Sequence, residues 1–167
     1  MERLILLRHG KAENQSWSGE DFDRRLTPRG VSDAREAGER LAELGFQADL
    51  ALVSAAARTR ETWEALSPTC PACEVRFEDG LYHAEAGEVL NLVRQCASEA
   101  GTILVVGHNP GLHELVLRLL IEGGARPDLL ASARARFPTS AAAVFLFDGE
   151  NPPAFDGLLL PPRGGYD

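Results

Sequence analysis

Three stretches of the chain are apolar over almost their whole length. They span residues 3–8, 49–54 and 102–107, and each is bounded by polar or small residues. Uninterrupted apolar runs of this length predict central strands that are covered on both faces. Weaker strand patterns lie at 74–78, 141–148 and 154–161, and the last two predict a closing strand pair.

Helical periodicity occupies the segments between the predicted strands. One helix is predicted from Thr27, a capping residue that precedes a proline, to Gly45. Another begins after residue 107, with Asn109 as its cap and a stripe of leucine and valine at helical spacing. Two more helices are predicted at 56–66 and 85–100, whereas 125–140 has a less regular pattern.

The alternation of strands and helices predicts one α/β domain that spans residues 1–167. The expected architecture is a three-layer α/β/α sandwich with a mostly parallel central sheet. The composition, 44% hydrophobic and 25% charged, is that of an ordinary globular protein. No stretch resembles a signal peptide or is long enough to cross a bilayer, so we expect a cytoplasmic protein.

The formal net charge of −8 restricts the partners of the chain. An acidic surface repels nucleic-acid phosphates and anionic lipid, so we expect neither nucleic acid nor a membrane as partner. A small anion can still bind where arginines converge.

Cys70 and Cys73 form a C-x-x-C motif that precedes a predicted strand, and we interpret them as loop cysteines rather than a redox or zinc pair.

Polar side chains follow three of the predicted strands at the point where each strand ends. Arg8, His9 and Gly10 follow the first strand, Arg58 lies in the first helical turn after the second, and His108 follows 102–107. Ligands of open α/β sheets bind at this edge of the sheet. Two arginines can bind a phosphoryl group and keep His9 neutral, and therefore nucleophilic, while the Gly10 carbonyl fixes its tautomer. His108 can stabilise the transition state without any metal or cofactor.

Four blocks of sequence carry a resemblance to a known family. They read LLRHGKA, DFDRRLTPRG, LVSAAARTRET and LVVGHNPGL, and they span residues 6 to 112. The chain resembles the histidine phosphatase superfamily, which has the phosphoglycerate-mutase-like fold, and in detail the short SixA-type protein-histidine phosphatases. The resemblance implies that His9 accepts the phosphoryl group. It also implies that Arg8, Arg58 and His108 complete the phosphate pocket.

Two positions depart from the pattern of the family. Arg25 stands where the family usually has a proline, which we interpret as a local loop change or an additional cation at the mouth of the site. Esterases and mutases of the family resemble one another in a glutamate acid after the third strand, and no glutamate here lies clearly in that place. His83 is nearest, and Glu85 is out of register. A phosphohistidine nitrogen leaves more easily than an alkoxide and needs less help from a general acid.

These observations predict a phosphatase that hydrolyses phosphohistidine on a protein, such as a phosphorelay component, through a phosphohistidine intermediate on His9. One alternative is a small-molecule phosphomonoesterase that uses His83 or Glu85 as its acid. Another is a non-catalytic module that binds phosphate or phosphohistidine. Four further residues are predicted to bind substrate: Gly10, Asn109, Arg24 and His83.

Two residues of the long loop between residues 10 and 26 have simpler explanations. Arg24 lies among acidic residues, so a solvated ion pair is an alternative to substrate binding. Trp17 lies in the middle of the loop, and we interpret it as a hydrophobic plug rather than a lid or a partner contact.

Overall fold

The computed structural model describes residues 1–161 of the chain. The strands within this part are β1 (Arg3–Arg8), β2 (Leu50–Ser54), β3 (Glu74–Glu78), β4 (Thr102–Gly107), β5 (Ala142–Leu146) and β6 (Ala154–Leu159). The helices are α1 (Pro28–Glu43), α2 (Ala57–Leu66), α3 (Ala86–Cys96), α4 (Gly111–Glu122) and α5 (Pro127–Ala135). Short 3-10 helices lie at Asp21–Asp23, Ser67–Thr69 and Asp79–Leu81.

The strands form one mixed sheet in the order β3-β2-β4-β1-β5-β6. The first four strands of that order are parallel, and β5 is antiparallel to both β1 and β6. The mostly parallel α/β fold with helices on the sheet is confirmed, and so is the closing strand pair.

Helices cover both faces of the sheet, and β1 shows how the sequence specifies the two layers. Successive side chains of a strand point to opposite faces. Leu4 and Leu6 accordingly pack in the core formed with α3, α4 and α5. Ile5 and Leu7 pack in the core formed with α1 and α2. Both faces of the strand are therefore buried, which explains its continuous apolar run.

Three details differ from the predicted elements. The segment 125–140 contains helix α5, although its apolar positions show little periodicity. Helix α3 ends at Cys96, four residues before the predicted end. Asn109 does not cap α4, because the chain enters that helix through Pro110, and the Asn109 amide donates to the Phe137 carbonyl oxygen over 2.8 Å instead.

Two glycines bring the start of α1 against the segment that follows β1. A Cβ atom at Gly10 would lie 2.6 Å from the Gly30 carbonyl oxygen, and one at Gly30 would lie 2.1 Å from the Lys11 carbonyl oxygen. Both contacts are with backbone atoms, which cannot move aside as a flexible side chain can. The glycines therefore let α1 hold the segment directly after β1 in place.

We predict that Gly30→Ala lowers the free energy of unfolding by about 1 to 3 kcal/mol, because the added methyl group forces two backbone segments apart. The matched control is Gly87→Ala in helix α3, where no atom lies within 4 Å of the added Cβ. Alanine favours a helix over glycine, so the control is expected to gain up to about 1 kcal/mol. Urea unfolding measures both, and equal effects would contradict the steric explanation.

Candidate active site

The register between β1 and β4 brings two histidines together. Arg8 at the end of β1 lies opposite Gly107 at the end of β4, and the His9 amide donates to the Gly107 carbonyl oxygen over 3.1 Å. The next residues along the two strands are His9 and His108, and the centroids of their rings lie 5.4 Å apart. Their juxtaposition follows from strand pairing alone.

His9 is buried and is held as a neutral ring of one tautomer. Its side chain is only 7% exposed, and Nδ1 lies 2.7 Å from the Gly10 carbonyl oxygen. A carbonyl oxygen can only accept, so Nδ1 carries the proton and Nε2 carries the lone pair. Burial lowers the pKa of His9 well below its usual value, the bond to Gly10 opposes this, and nearby His108, Arg8 and Arg58 lower it further. The arginines thus act in the predicted direction, but burial contributes most.

Thr62 connects the segment after β1 to helix α2. Its hydroxyl accepts from the Gly10 amide over 2.9 Å and donates to the Arg58 carbonyl oxygen over 2.7 Å. The Gly10 amide is therefore engaged within the protein and does not face a ligand. Gly10 serves the site through its close packing and through the carbonyl that orients His9.

Arg58 is nearly fully buried at the start of α2, and it is paired with Asp21 from the long loop. One terminal nitrogen donates to the Asp21 carbonyl oxygen over 2.9 Å, and the other lies 3.1 Å from the Asp21 carboxylate. The same carboxylate accepts from the Tyr82 hydroxyl over 2.6 Å and from Arg24 over 2.9 Å. The bonds from Tyr82, Arg24 and Arg58 keep the pKa of Asp21 far below its usual value against the effect of burial, so it stays ionised.

His108 is fixed by a side chain from the neighbouring strand β2. Its Nε2 lies 2.7 Å from the Ser54 hydroxyl, and Ser54 is completely buried. Burial and the positive charge of Arg58 lower the pKa of His108 to about 3, although Asp21 opposes this. His108 is therefore neutral at physiological pH and can act as a hydrogen-bond donor.

Several buried polar atoms around the two histidines have no hydrogen-bond partner within residues 1–161. They are Nε of Arg58, Nδ1 of His108 and Oδ1 of Asn109. An unsatisfied buried polar atom costs about 1 to 3 kcal/mol, so it is uncommon away from functional sites. The Nε of Arg58 is a donor, the complement of a phosphoryl oxygen, and Nδ1 of His108 is a second donor when the Ser54 hydroxyl donates to Nε2.

Two clefts open beside these residues. The smaller, of about 160 Å³, has Arg8, His9, Lys11, Asn14 and Arg24 among its lining residues. The larger has a volume of about 540 Å³. Its polar lining residues are Asp21, Arg58, His83, Glu85, His108, Asn109 and Glu114. The carboxyl ends of β1, β2 and β4 thus lie between the two clefts. His9 lines the smaller cleft, and the carboxylates of Asp21, Glu85 and Glu114 line the larger one.

The wall of the larger cleft combines a strained residue with a close backbone contact. His83 has a φ of +60°, an unusual value for a residue with a side chain, and its ring lies 3.9 Å from the Tyr82 ring between centroids. A Cβ atom at Gly111 would lie 2.0 Å from the Ala84 carbonyl oxygen. The loop after β3 is therefore seated directly on the first turn of α4.

Most of the residues predicted to form the site line one of the two clefts. Arg8, His9, Arg58 and His108 come together as described, and Asn109 and His83 line the larger cleft. Arg24 both lines the cleft beside His9 and forms the expected ion pair. Arg25 lines neither cleft, and pairs instead with Glu61 at 2.8 Å.

The interpretation of Trp17 as a plug is wrong, because its side chain is 87% exposed. The residues on either side of it are held by hydrogen bonds, from Ser16 to the Glu20 carbonyl oxygen and from Ser18 to the Asp23 carboxylate. Cys70 and Cys73 are free thiols in the loop before β3, where they do not line either cleft.

Four residues of the site were missed by sequence reasoning: Ser54, Thr62, Asp21 and Tyr82. Ser54 and Thr62 lie within the block LVSAAARTRET, and Thr62 is four residues after Arg58 on the same face of α2. That spacing could have indicated Thr62. Asp21 and Tyr82 meet only through the tertiary fold, and no local pattern indicates them.

No group of three or more histidine, cysteine or carboxylate residues within 1–161 is arranged to hold a metal ion. None of the helices in the same part of the chain is both long and apolar enough to cross a bilayer.

Comparison with protein families gives a match that covers more than half of the chain. The model of the histidine phosphatase superfamily (branch 1) matches residues 4–99. The chain belongs to this superfamily. The predicted recognition is confirmed, and the phosphoglycerate-mutase-like architecture is confirmed with it.

Solved structures with a similar fold include two members of the superfamily from bacteria. A candidate phosphohistidine phosphatase SixA of Agrobacterium tumefaciens is 31% identical, with a TM-score of 0.82, and the similarity covers 96% of this chain and 98% of that one. A second candidate SixA, of Nakamurella multipartitia, is 30% identical with a TM-score of 0.83, over 97% of each chain. An uncharacterized protein of Mycobacterium leprae is 35% identical over 124 residues, which are 74% of each chain.

The superfamily match and the similarity to SixA proteins indicate a phosphatase. The residues that carry the family motifs are also those that surround His9, so sequence similarity and geometry point to the same edge of the sheet.

We predict that Asp21→Asn binds inorganic phosphate about three- to tenfold more tightly than the wild type, because it removes a carboxylate that competes for Arg58. The matched control is Asp23→Asn, which makes the same change of charge in the same 3-10 helix. The Asp23 carboxylate accepts from Ser18 over 2.6 Å rather than from Arg58. Isothermal titration calorimetry measures the affinities, and weaker binding by Asp21→Asn would show that Asp21 chiefly positions Arg58.

The buried histidines predict a loss of stability in acid. Folded His108 stays neutral to about pH 3, whereas an unfolded histidine takes up its proton near pH 6.5. The unfolded state therefore binds more protons below pH 6.5, and stability falls as the pH is lowered from there. Between pH 7 and 5 the free energy of unfolding of the wild type is expected to fall by up to about 2 kcal/mol more than that of His108→Gln, as measured by urea unfolding. Equal losses would contradict a depressed pKa.

Proposed function

We propose that this protein is a cytoplasmic, metal-independent phosphohistidine phosphatase that acts on a histidine-phosphorylated protein, such as a phosphorelay component. The observation that carries the proposal is the state of His9. Its Nδ1 proton is committed to the Gly10 carbonyl oxygen, so the lone pair of Nε2 is available as a nucleophile. Arg8, Arg58 and His108 surround it with donors for a phosphoryl group.

The reaction that this arrangement supports has two displacement steps. In the first, His9 Nε2 attacks phosphorus while the bond from phosphorus to the substrate nitrogen breaks, and the departing imidazole takes up a proton. In the second, water attacks phosphorus, the bond to His9 breaks, and inorganic phosphate is released with the water proton lost to solvent. The net change is hydrolysis of one phosphorus–nitrogen bond, and His9 returns to its starting state.

Arg8 and Arg58 supply the positive charge that phosphoryl transfer requires. A guanidinium binds two phosphoryl oxygens at once and stays charged at every working pH, so it stabilises charge that develops on those oxygens. His108 adds a neutral donor. These groups supply the charge stabilisation that a metal ion supplies in other phosphatases.

The choice of phosphohistidine over a phosphate ester rests on the leaving group. Asp21 is an acidic group beside Arg58 in the larger cleft, but its lowered pKa keeps it ionised, and it has no proton to give. An alkoxide needs a proton donor, whereas an imidazole nitrogen departs with less help. The similarity to SixA proteins described as phosphohistidine phosphatases supports the same choice.

We predict that the wild type releases phosphate from a histidine-phosphorylated carrier protein much faster than from an alkyl phosphate ester such as phosphoserine, whose alkoxide needs a proton donor. His9→Ala is expected to abolish release, because it removes the only group proposed to attack phosphorus. The intermediate is detected by alkaline quench with labelled substrate, since phosphohistidine survives alkali and is lost in acid. Label on the wild type and none on His9→Ala is the expected result.

Three other outcomes separate the alternatives. Faster release from the ester would favour a phosphomonoesterase and direct attention to His83 and Glu85 as proton donors. Binding of phosphate without turnover of either substrate would indicate a binding module. Turnover by His9→Ala at the wild-type rate would exclude the covalent route altogether.

A further inference from the structure

The larger cleft carries negative charge although it opens onto a phosphate-binding floor. Its lining includes three carboxylates, of Asp21, Glu85 and Glu114, and one guanidinium, of Arg58. Asp21 is paired with Arg24 and Arg58, whereas Glu85 and Glu114 form no ion pair within residues 1–161. A cleft for a free phosphate compound would be expected to carry the opposite sign, because like charge repels such a substrate.

The two carboxylates without an ion pair belong to helix starts. Glu85 lies directly before α3, where its side chain accepts from the Glu88 amide in a capping box, and Glu114 lies in the first turn of α4. The close contact between Gly111 and the Ala84 carbonyl oxygen joins the two elements at the wall of the cleft. The carboxylates therefore belong to one wall rather than to independent loops.

A second, independent observation points to a ligand in this cleft. Arg58 is only 6% exposed, and its buried Nε has no partner within the described residues although its terminal nitrogens are paired with Asp21. Nδ1 of His108, on the same cleft, is likewise buried and unpartnered. A phosphoryl group that accepts from Arg58 or His108 would lie in the same cleft that Glu85 and Glu114 line.

The two clefts divide the nucleophile from two other groups of the site. His9 lines the smaller cleft, whereas Arg58 and His108 line the larger one. In-line displacement places the nucleophile and the leaving group on opposite sides of phosphorus. A phosphoryl group held by Arg58 and His108 and attacked from His9 therefore directs its leaving group toward Glu85 and Glu114.

We propose that Glu85 and Glu114, together with Asp21, act as a charge filter: they favour phosphoryl groups on a neutral or cationic carrier and exclude those on a carrier with its own negative charge. The inference rests on the proposed function and extends it to the surroundings of the phosphorylated residue. Imidazole is neutral or cationic, so it passes the filter, and so does a phosphohistidine surrounded by basic residues. Phosphorylated hydroxy acids, whose carrier has a carboxylate, and nucleoside diphosphates and triphosphates, whose carrier has further phosphates, do not pass it.

The filter is tested with two synthetic peptides of equal length, each with one phosphohistidine, flanked by lysines in one and by glutamates in the other. The wild type at low ionic strength is expected to show a kcat/KM about tenfold higher for the lysine peptide. The ratio should shrink in 0.5 M salt, because screening weakens interactions between exposed charges. This salt dependence tests the filter without any variant.

The variant arm uses Glu85→Gln combined with Glu114→Gln. The ratio between the two peptides is expected to fall about threefold or more, because both unpaired charges are removed. Glu122→Gln is the matched control, since it removes a carboxylate from the other end of α4, where Glu122 pairs with Arg118 at 3.1 Å. The control should keep the wild-type ratio.

The outcomes distinguish the filter from the proposed function. Equal rates on the two peptides, or a ratio unchanged in the double variant, would overturn the filter and leave phosphohistidine hydrolysis standing. Turnover of esters alone would overturn the proposed function. The filter is then tested with phosphoethanolamine and 3-phosphoglycerate, whose leaving groups differ in charge, and an excess for 3-phosphoglycerate would overturn it.

Discussion

In the parallel pair of β1 and β4, Arg8 lies opposite Gly107, and the next residue of each strand is a histidine. The distance between the two rings therefore depends on backbone hydrogen bonds that are buried in the middle of the sheet. A slip by one residue would turn every side chain of β1 to the other face. It would also move the two layers of apolar residues out of their cores. The energy that keeps Leu4 and Ile5 buried on opposite faces thus also holds His9 beside His108.

Burial of these groups sets their protonation. A histidine in water carries a proton for much of the time near pH 6, whereas burial lowers the pKa values of His9 and His108 so that both rings are neutral. The charge of the site is then left to the arginine, lysine and carboxylate side chains that line the two clefts. A neutral nucleophile between fixed cations needs no proton removed before it attacks. The same burial leaves polar atoms of Arg58 and His108 without a hydrogen-bond partner. This lowers the stability of the protein without ligand, and a ligand that bonds to these atoms would restore it.

The sequence predicts the elements and the centre of the site for a physical reason. Apolar runs and helical stripes are local patterns, and parallel strands end at one edge, so Arg8, His9, Arg58 and His108 could be placed together before any coordinates. The network of Asp21 and Tyr82 could not, because the two side chains are 61 residues apart and meet only when two loops fold over the sheet. Loops have no periodicity to constrain them, and Trp17 was misjudged for that reason. Helix α5 escaped prediction because few of its residues are fully buried.

The seating of Ala84 on Gly111 has a consequence for how members of such a fold can diverge. The groups that handle phosphorus lie at strand ends, whereas the wall around the carrier comes from the loop after β3 and the first turn of α4. Ala84 is the anchor between the two. Residues inserted ahead of this anchor, between Asp79 and His83, would reshape the entrance while the strand ends keep their register. A change at the anchor itself would disturb α4 and the sheet together. The loop that surrounds the carrier can therefore change without a change in the residues that handle phosphorus. The backbone contact between Ala84 and Gly111 marks where the two parts of the site meet.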